Sequence, residues 1–471
     1  MIKKQKANKK MNESVCISPI DNIEVARIPY TTNAEVAARL KKAREAQVQW
    51  ASTSISIRQK LCSLAVDAML AMREEIVPEL ARQMGRPVSS GAGELSGFEE
   101  RARYMIGIAE EALAPLYPNP KVGFDRYIEK VPLGLVFTVA PWNFPYLTAV
   151  NSIIPALMAG NAVVLKHAAQ TILVGQRFAQ AFEGVGFPEG LFSNFVLTHQ
   201  QTTQLISSRA FDQVMFTGSV PAGKKIEQAA AGTFAGVGLE LGGKDPAYVR
   251  ADVDVDMAIE NIVDGGFFNS GQSCCGIERV YVHEDVYDTF VEGASDLVGR
   301  YVLDNPLNKA TTLGPLVNKE AADFVRAQID SAIAAGATAC VDESKFERNL
   351  RGSPYLAPQV LINVDHRMSV MNDESFGPVI GIMKVKSDAE AVRLMNDSDF
   401  GLTASIWTRD AEVAKLLGAQ INTGTVFMNR CDYLDPAMAW TGVKNTGRGV
   451  TLSGLGYDHL TRPKSFHLKM T

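Results

Sequence analysis

The chain has 471 residues, 46% of them hydrophobic and 21% charged, which is the composition of a globular protein with about two to four domains. A net charge of −5 and a pI near 5.8 give no electrostatic reason to expect a nucleic-acid partner, and no run of about 18 apolar residues would span a membrane. Six scattered cysteines (Cys16, Cys62, Cys274, Cys275, Cys340, Cys431) and six scattered histidines, without C-x-x-C or H-E-x-x-H spacing, argue against a disulfide scaffold and against a dedicated metal site.

The one dense basic run, Lys3, Lys4, Lys6, Lys9 and Lys10, reads as a solvated tail over residues 1–17, disordered or extended; an address or an RNA-binding arm is the alternative. No apolar stretch follows it, so it is no secretory signal and the expected compartment is the cytoplasm. From Asn33 to Leu113 the pattern is helical, with three- and four-residue apolar spacing in Ala34–Trp50 and Ser56–Met72. Pro115, Pro118 and Pro120 break it. Tyr127–Val131 alternates as a strand. Gly134–Ala140, Ala162–Lys166, Leu191–Leu197 and Gln213–Phe216 are short apolar strands, separated by helical stretches at Leu147–Met158 and Leu173–Gly184. That alternation implies crossover connections and a mainly parallel sheet. A second such series follows Gly242, with strands at Asp245–Val249, Ile277–Val282 and Gly401–Trp407 and helices at Met257–Val263, Asp285–Gly299 and Lys319–Gly336. Thr461–Lys469 reads as an extended arm. Two α/β lobes with a cleft between them is the economical architecture.

Five local motifs bear on chemistry. Phe267-Phe268-Asn269-Ser270-Gly271-Gln272-Ser273-Cys274-Cys275 sets two thiols in a polar loop after a helix, a setting for a nucleophile or for two small buried residues. In Leu239-Glu240-Leu241-Gly242-Gly243-Lys244 a carboxylate stands among apolar neighbours, where desolvation raises its pKa toward a general base's range; the alternative is a surface turn. Pro141-Trp142-Asn143-Phe144-Pro145 fixes an amide able to donate to an oxyanion, or is a proline-rich turn. Phe216-Thr217-Gly218-Ser219-Val220-Pro221-Ala222-Gly223 runs from strand to helix, with Ser219 as N-cap and free N–H groups for a phosphate, although its glycine spacing is not the usual dinucleotide fingerprint. Asp373-Glu374-Ser375-Phe376-Gly377-Pro378 offers a carboxylate to a sugar hydroxyl, or is a plain loop.

In order and spacing, the five together resemble the aldehyde dehydrogenase superfamily from about Ser18 to Lys469, with Glu240 lying 34 positions before Cys274 as is usual there. The resemblance implies an α/β fold of two Rossmann-like domains with a small β oligomerisation arm. It assigns 18–117 and 136–240 to a cofactor-binding domain, 241–428 to a catalytic domain and 118–135 with 456–471 to the arm, while 429–455 returns past the substrate pocket. It implies Cys274 as nucleophile, Glu240 as general base, Asn143 with the Cys274 N–H as oxyanion donors, and Lys244 in support of Glu240. NAD or NADP would meet Trp142, Lys166, Ala169, Gly218, Ser219, Gly223, Leu241, Glu374 and Phe376. An aldehyde would meet Phe144, Thr148, Asn151, Ser273, Cys275, Arg430, Leu434 and Trp440. A homodimer or homotetramer is implied, with neither nucleic acid nor membrane as partner.

Three departures from the family pattern matter. Ala169 stands where NAD-preferring relatives carry a glutamate that repels a 2′-phosphate, so NADP is expected to be accepted. Gly449 replaces a glutamate thought to relay protons from the base. Ala439-Trp440-Thr441-Gly442 replaces Pro-Phe-Gly-Gly, which alters the pocket. Phe144 and Trp440 suit an apolar or aromatic aldehyde. Arg430 could instead hold the carboxylate of a semialdehyde, although succinate-semialdehyde enzymes often carry an arginine at the position of Phe268; the simpler reading of Arg430 is a structural or interface residue. Two alternatives remain at this point: a CoA-acylating enzyme, which generally lacks the base, and a non-catalytic binding protein on the same scaffold.

Overall fold

The structure is a computed structural model that describes residues 12–470; the lysine run lies outside them. Strands β1 (Glu13–Ile17) and β2 (Glu24–Pro29) pair antiparallel. This corrects the expected tail over 1–17: β1 is extended but docked, with Cys16 fully buried and its thiol donating to the carbonyl of Gln170 at 2.9 Å. The strand buries small side chains, Ser14 and Cys16, so hydropathy does not mark it.

Four helices follow, α1 (Asn33–Ala51), α2 (Ile55–Ala71), α3 (Arg73–Met84) and α4 (Val88–Ala112). Thr32 and Glu35 close a capping box at the start of α1, each satisfying one of the other's backbone N–H groups. After β3 (Phe124–Pro132) come β4 (Leu135–Val139), α5 (Pro145–Met158), β5 (Ala162–Lys166), α6 (Ile172–Glu183), β6 (Phe192–Asn194), α7 (His199–Ser207), β7 (Gln213–Thr217), α8 (Val220–Ala230) and β8 (Gly236–Glu240). Strands β4 to β8 form a parallel sheet in the order β8-β7-β4-β5-β6. β8 is invisible to a hydropathy reading because Gln213 and Met215 of β7 lie across it. A Cβ on Gly236 would fall 1.8 Å from Gln213 Oε1, so only glycine fits beside that side chain.

The chain lays β4, β5 and β6 to one side, then returns to add β7 and β8 on the other. The loops leaving β4 and β7 therefore diverge at the carboxyl ends of adjacent strands and open a crevice. The second series comprises β9 (Asp245–Val249), α9 (Val255–Phe267), β10 (Ile277–His283), α10 (Tyr287–Val298), α11 (Lys319–Ala334), β11 (Thr338–Ala339), β12 (Gln359–Ile362), β13 (Val379–Val385), β14 (Thr403–Trp407) and β15 (Thr425–Met428). Its seven-stranded sheet runs β11-β12-β13-β10-β9-β14-β15, parallel except at the β11 edge. β16 (Gly447–Arg448) then crosses back to pair antiparallel with β8. β17 (Thr461–Lys469) pairs with β3 through nine residues of each strand, from Thr461↔Pro132 to Lys469↔Phe124, with Tyr127 and Phe466 stacked at 4.6 Å. This ribbon joins neither large sheet. Among the described residues no helix is long and apolar enough to cross a membrane, and no cluster of three metal-ligating side chains occurs.

Candidate active site

A long cleft passes the crevice and ends at Cys274. Gly218, Ser219 and Pro221 line it where β7 gives way to α8. Ser219 holds the extended backbone of an N-cap, but its hydroxyl makes no capping bond, contrary to the sequence expectation. The first-turn N–H groups keep their donors for a ligand, and the helix dipole adds positive potential. Gly223 lies behind them, where a Cβ would meet Leu241 at 2.5 Å, so it serves helix packing. Further along, Lys166, His167 and Ala169 line the cleft together with His199 and Lys225, two cation-capable groups that sequence reading missed. Burial pushes Lys166 below the usual lysine range, and it makes no ion pair among the described residues.

The other wall carries Glu374 and Phe376. The N–H of Gly243 donates to Glu374 Oε1 at 3.0 Å, and burial with the nearby Glu278 charge raises the Glu374 carboxyl to about 7. Phe376 meets Trp142 edge-on at 5.6 Å. Lys244, expected in support of the catalytic glutamate region, makes no hydrogen bond to Glu240: fully enclosed, it pairs with Glu278 and donates to Ser375 Oγ at 3.0 Å. Glu278 also accepts from the N–H groups of Ser375 and Phe376. Lys244 thus anchors the loop that presents Glu374 rather than touching the base.

The Cys274 loop turns sharply through Asn269, Ser270 and Gly271, all at positive φ. Cys274 is half-buried on the cleft, and Cys275 points into the core. Gly243 fits under this loop because a Cβ there would stand 2.2 Å from the Cys274 carbonyl oxygen. Asn143 Nδ2 donates to the carbonyl of Gln272 at 3.2 Å, which brings its amide to the nucleophile loop. A buried Arg86–Glu94 pair holds Asn143 from behind. Arg86 Nη2 donates to the Asn143 carbonyl at 2.5 Å, and Glu94 Oε1 accepts from the N–H groups of Tyr146 and Leu147 at 2.9 and 3.0 Å. Glu94 thereby caps α5, which has no cap of its own because Phe144 occupies the N-cap position.

Glu240 ends β8 and lines the same cleft. Thr451 Oγ1 donates to its Oε1 at 2.6 Å and Thr217 Oγ1 to its Oε2 at 3.2 Å. Burial raises its pKa above the usual carboxylate range, and the two hydroxyls and the Arg101 charge oppose that rise.

The model of the aldehyde dehydrogenase family matches residues 5–466. The chain belongs to the aldehyde dehydrogenase family. A succinate-semialdehyde dehydrogenase [NADP(+)] of Mycobacterium avium is 32% identical over 445 residues, 93% of each chain. A vanillin dehydrogenase of Corynebacterium glutamicum is 32% identical over 441 residues, 93% of this chain and 90% of its own. The solved NAD-dependent aldehyde dehydrogenase of Sinorhizobium meliloti superposes with a TM-score of 0.92 at 30% identity, covering 97% of this chain and 92% of its own. The protein is therefore an NAD(P)-dependent aldehyde dehydrogenase of the α/β fold expected.

Against that family the departures take on structure. Gly449 sits at φ +99°, a backbone that a glutamate would strain, and the carboxylate's neutral partner Thr451 stands two residues on. Thr451 exchanges backbone hydrogen bonds with Trp440, which ties the altered Ala439–Gly442 segment to the base. On the substrate side Phe144 stacks on Phe268 at 6.3 Å, and Thr148 and Asn151 share a small chamber with Glu240 and Thr451. Leu434 packs against the edge of the first core, and Trp440 is buried within it. Ser273 and Cys275 are buried and donate to Asp432 Oδ1 at 3.0 and 2.9 Å; burial raises that unanticipated carboxyl to about 6. Arg430 is exposed, its guanidinium 3.5 Å from the centre of the Tyr433 ring, which suits the structural or interface reading better than a carboxylate-holding one.

Proposed function

We propose that this enzyme oxidises its aldehyde through a covalent intermediate on Cys274. The thiolate adds to the carbonyl carbon to give a thiohemiacetal, whose oxyanion takes hydrogen bonds from Asn143 Nδ2 and the Cys274 N–H. When bound, NAD(P) would supply the hydride acceptor, and loss of hydride from the thiohemiacetal would leave a thioester on Cys274. Glu240 takes a proton from water, the hydroxide adds to the thioester carbon, and the Cys274 thiolate leaves as the acid is released. The α8 N-terminus would hold the pyrophosphate, Lys166 the adenosine ribose and Glu374 the nicotinamide ribose. Ala169, with Lys166, His199 and Lys225 around it, makes the adenosine end hospitable to a 2′-phosphate.

The observation that carries this reading is one cleft that holds Asn143, Glu240 and Cys274 together beyond a free helix N-terminus. The substrate is either an aromatic aldehyde, as the name of the vanillin relative suggests, or a semialdehyde, as that of the mycobacterial relative does. The ribbon of β3 and β17, largely exposed on β17, is the element through which copies would pair into a dimer or tetramer. The six free thiols fit the reducing cytoplasm. The test is NAD(P)H formation at 340 nm across an aldehyde panel. Cys274→Ala should abolish turnover yet leave cofactor binding intact. Turnover that survives in Cys274→Ala, or that requires CoA, would overturn the assignment.

A further inference from the structure

The hairpin of β1 and β2 lends two side chains, Ser14 and Tyr30, to the wall of the long cleft. Ser14 pairs with Ile28 across the ribbon, and the Tyr30 N–H donates to the Asn12 carbonyl at 2.9 Å. Tyr30 lies two residues beyond Ile28, so its side chain and that of Ser14 share one face of the ribbon. Ser14 is only 3% exposed, and among the described residues neither its hydroxyl nor the Tyr30 phenol makes a hydrogen bond. A buried hydroxyl without a partner is costly, so one on the wall of a cleft marks a place that a ligand completes.

Hydrogen bonds fix this hairpin at the adenosine end. Cys16 Sγ donates to the Gln170 carbonyl and Gln170 Nε2 to the Ile17 carbonyl, each at 2.9 Å, which ties β1 to the turn Ala169–Thr171. At the other end the Thr31 N–H donates to the Val196 carbonyl at 2.8 Å, and the Val196 N–H to Thr31 Oγ1 at 3.1 Å. Gln201, which closes the capping box of α7 with Thr198, donates Nε2 to the Thr31 carbonyl at 2.9 Å. The hairpin therefore straps together the two segments that carry Ala169 and His199. Lys166, His199 and Lys225 line the same cleft, and none of them is in an ion pair among the described residues. Burial, and then the charges of Lys166 and Lys225, hold His199 below the usual histidine range, as three neighbouring cation-capable groups require. We propose that the hairpin completes a subsite for the 2′-phosphate of NADP, in which the Ser14 hydroxyl and the Tyr30 phenol donate to the phosphate oxygens while Lys166, His199 and Lys225 answer its charge. This rests on reading Ala169 as the opening to a 2′-phosphate, and it adds the donors that recognise the group. NAD lacks that phosphate and leaves both hydroxyls unanswered, so the hairpin favours NADP.

The experiment titrates the enzyme with NADPH and with NADH by cofactor fluorescence, without aldehyde, and uses adenosine 2′,5′-bisphosphate and AMP as competitors. It compares wild type, Ser14→Ala and Tyr30→Phe, the last of which keeps the ring and its packing. Wild type should bind the bisphosphate about tenfold or more tightly than AMP. In each variant the ratio of the NADPH Kd to the NADH Kd should rise by about tenfold or more, the effect of losing one hydrogen bond to a charged group, and the bisphosphate should lose its advantage in step. An unchanged ratio in either variant, including equal weakening of both cofactors, overturns the hairpin subsite and leaves the open adenosine end standing. Wild type that binds AMP as tightly as the bisphosphate overturns the reading of Ala169 and the subsite with it. If Ser14→Ala does not fold, the wild-type preference and Tyr30→Phe decide.

Discussion

Replacing Thr451 by valine removes one hydroxyl and keeps the side-chain shape. That hydroxyl lies 2.6 Å from Glu240 Oε1, and among the described residues the only other side-chain hydrogen bond to this carboxylate is the longer one from Thr217 at 3.2 Å. Both bonds favour the ionised form and work against the burial that raises its pKa. A hydrogen bond to a charged group is worth about 1.5–3 kcal/mol, and each 1.4 kcal/mol is a factor of ten. Thr451→Val therefore raises the Glu240 pKa further. The basic form becomes scarcer at neutral pH, and thioester hydrolysis slows roughly ten- to a hundredfold there. The assay is stopped-flow NAD(P)H formation across pH. The acid limb of kcat should move to higher pH, and a burst of one NAD(P)H per active site should appear as deacylation becomes limiting, whereas Thr451→Ser should behave as wild type. A limb that stays in place in Thr451→Val would show that Thr451 does not set the proton affinity of the base, and the account of how the chain manages without a glutamate at 449 would fall.

Three further outcomes follow from the same geometry. Ala169→Glu places a negative charge near the site for the 2′-phosphate; at about 4 Å and an effective dielectric of 20 this costs about 4 kcal/mol, so the kcat/KM ratio of NADP to NAD should fall roughly a hundredfold or more. In wild type that ratio should not favour NAD by more than about a hundredfold. Glu374 has its folded pKa raised from 4.5 to about 7, so the folded protein retains a proton that the unfolded chain releases, and this group's contribution to stability declines as pH rises through that window. Cofactor-free Glu374→Gln should accordingly gain on wild type by about 3 kcal/mol in urea unfolding between pH 4.5 and 8, and a flat difference would refute the raised pKa. Glu94→Ala strands the buried Arg86 and uncaps α5, so the denaturation midpoint should drop by the equivalent of about 3–5 kcal/mol with an unchanged slope.

The family and the reaction class were legible because the chemistry sits in short contiguous stretches. Close contacts fix their composition: Gly243 must be bare because the Cys274 backbone carbonyl lies against it, and a Cβ on Gly242 would displace the Glu374 carboxylate. Such constraints act within a loop or between two loops and survive as local words in the sequence. The apolar strands β4, β5 and β9 were legible for a similar reason, since strands buried on both faces read as unbroken runs. Tertiary structure alone decided the remainder. The family resemblance implies Lys244 in support of the catalytic glutamate region, and folding turns its ammonium to Glu278 and Ser375. Ser219 has the right type for a cap and leaves its hydroxyl unused. Arg86 with Glu94, Thr451 beneath Glu240 and Asp432 beneath Cys275 come from helices and loops far from the motifs they serve. Ion pairs and hydroxyl contacts depend on which side chains the packing of α4 on α5 and the return of 429–455 bring within about 3 Å. No spacing along the chain encodes that distance, so the sequence by itself determined the reaction, and the fold decided how the base and the nucleophile loop are held.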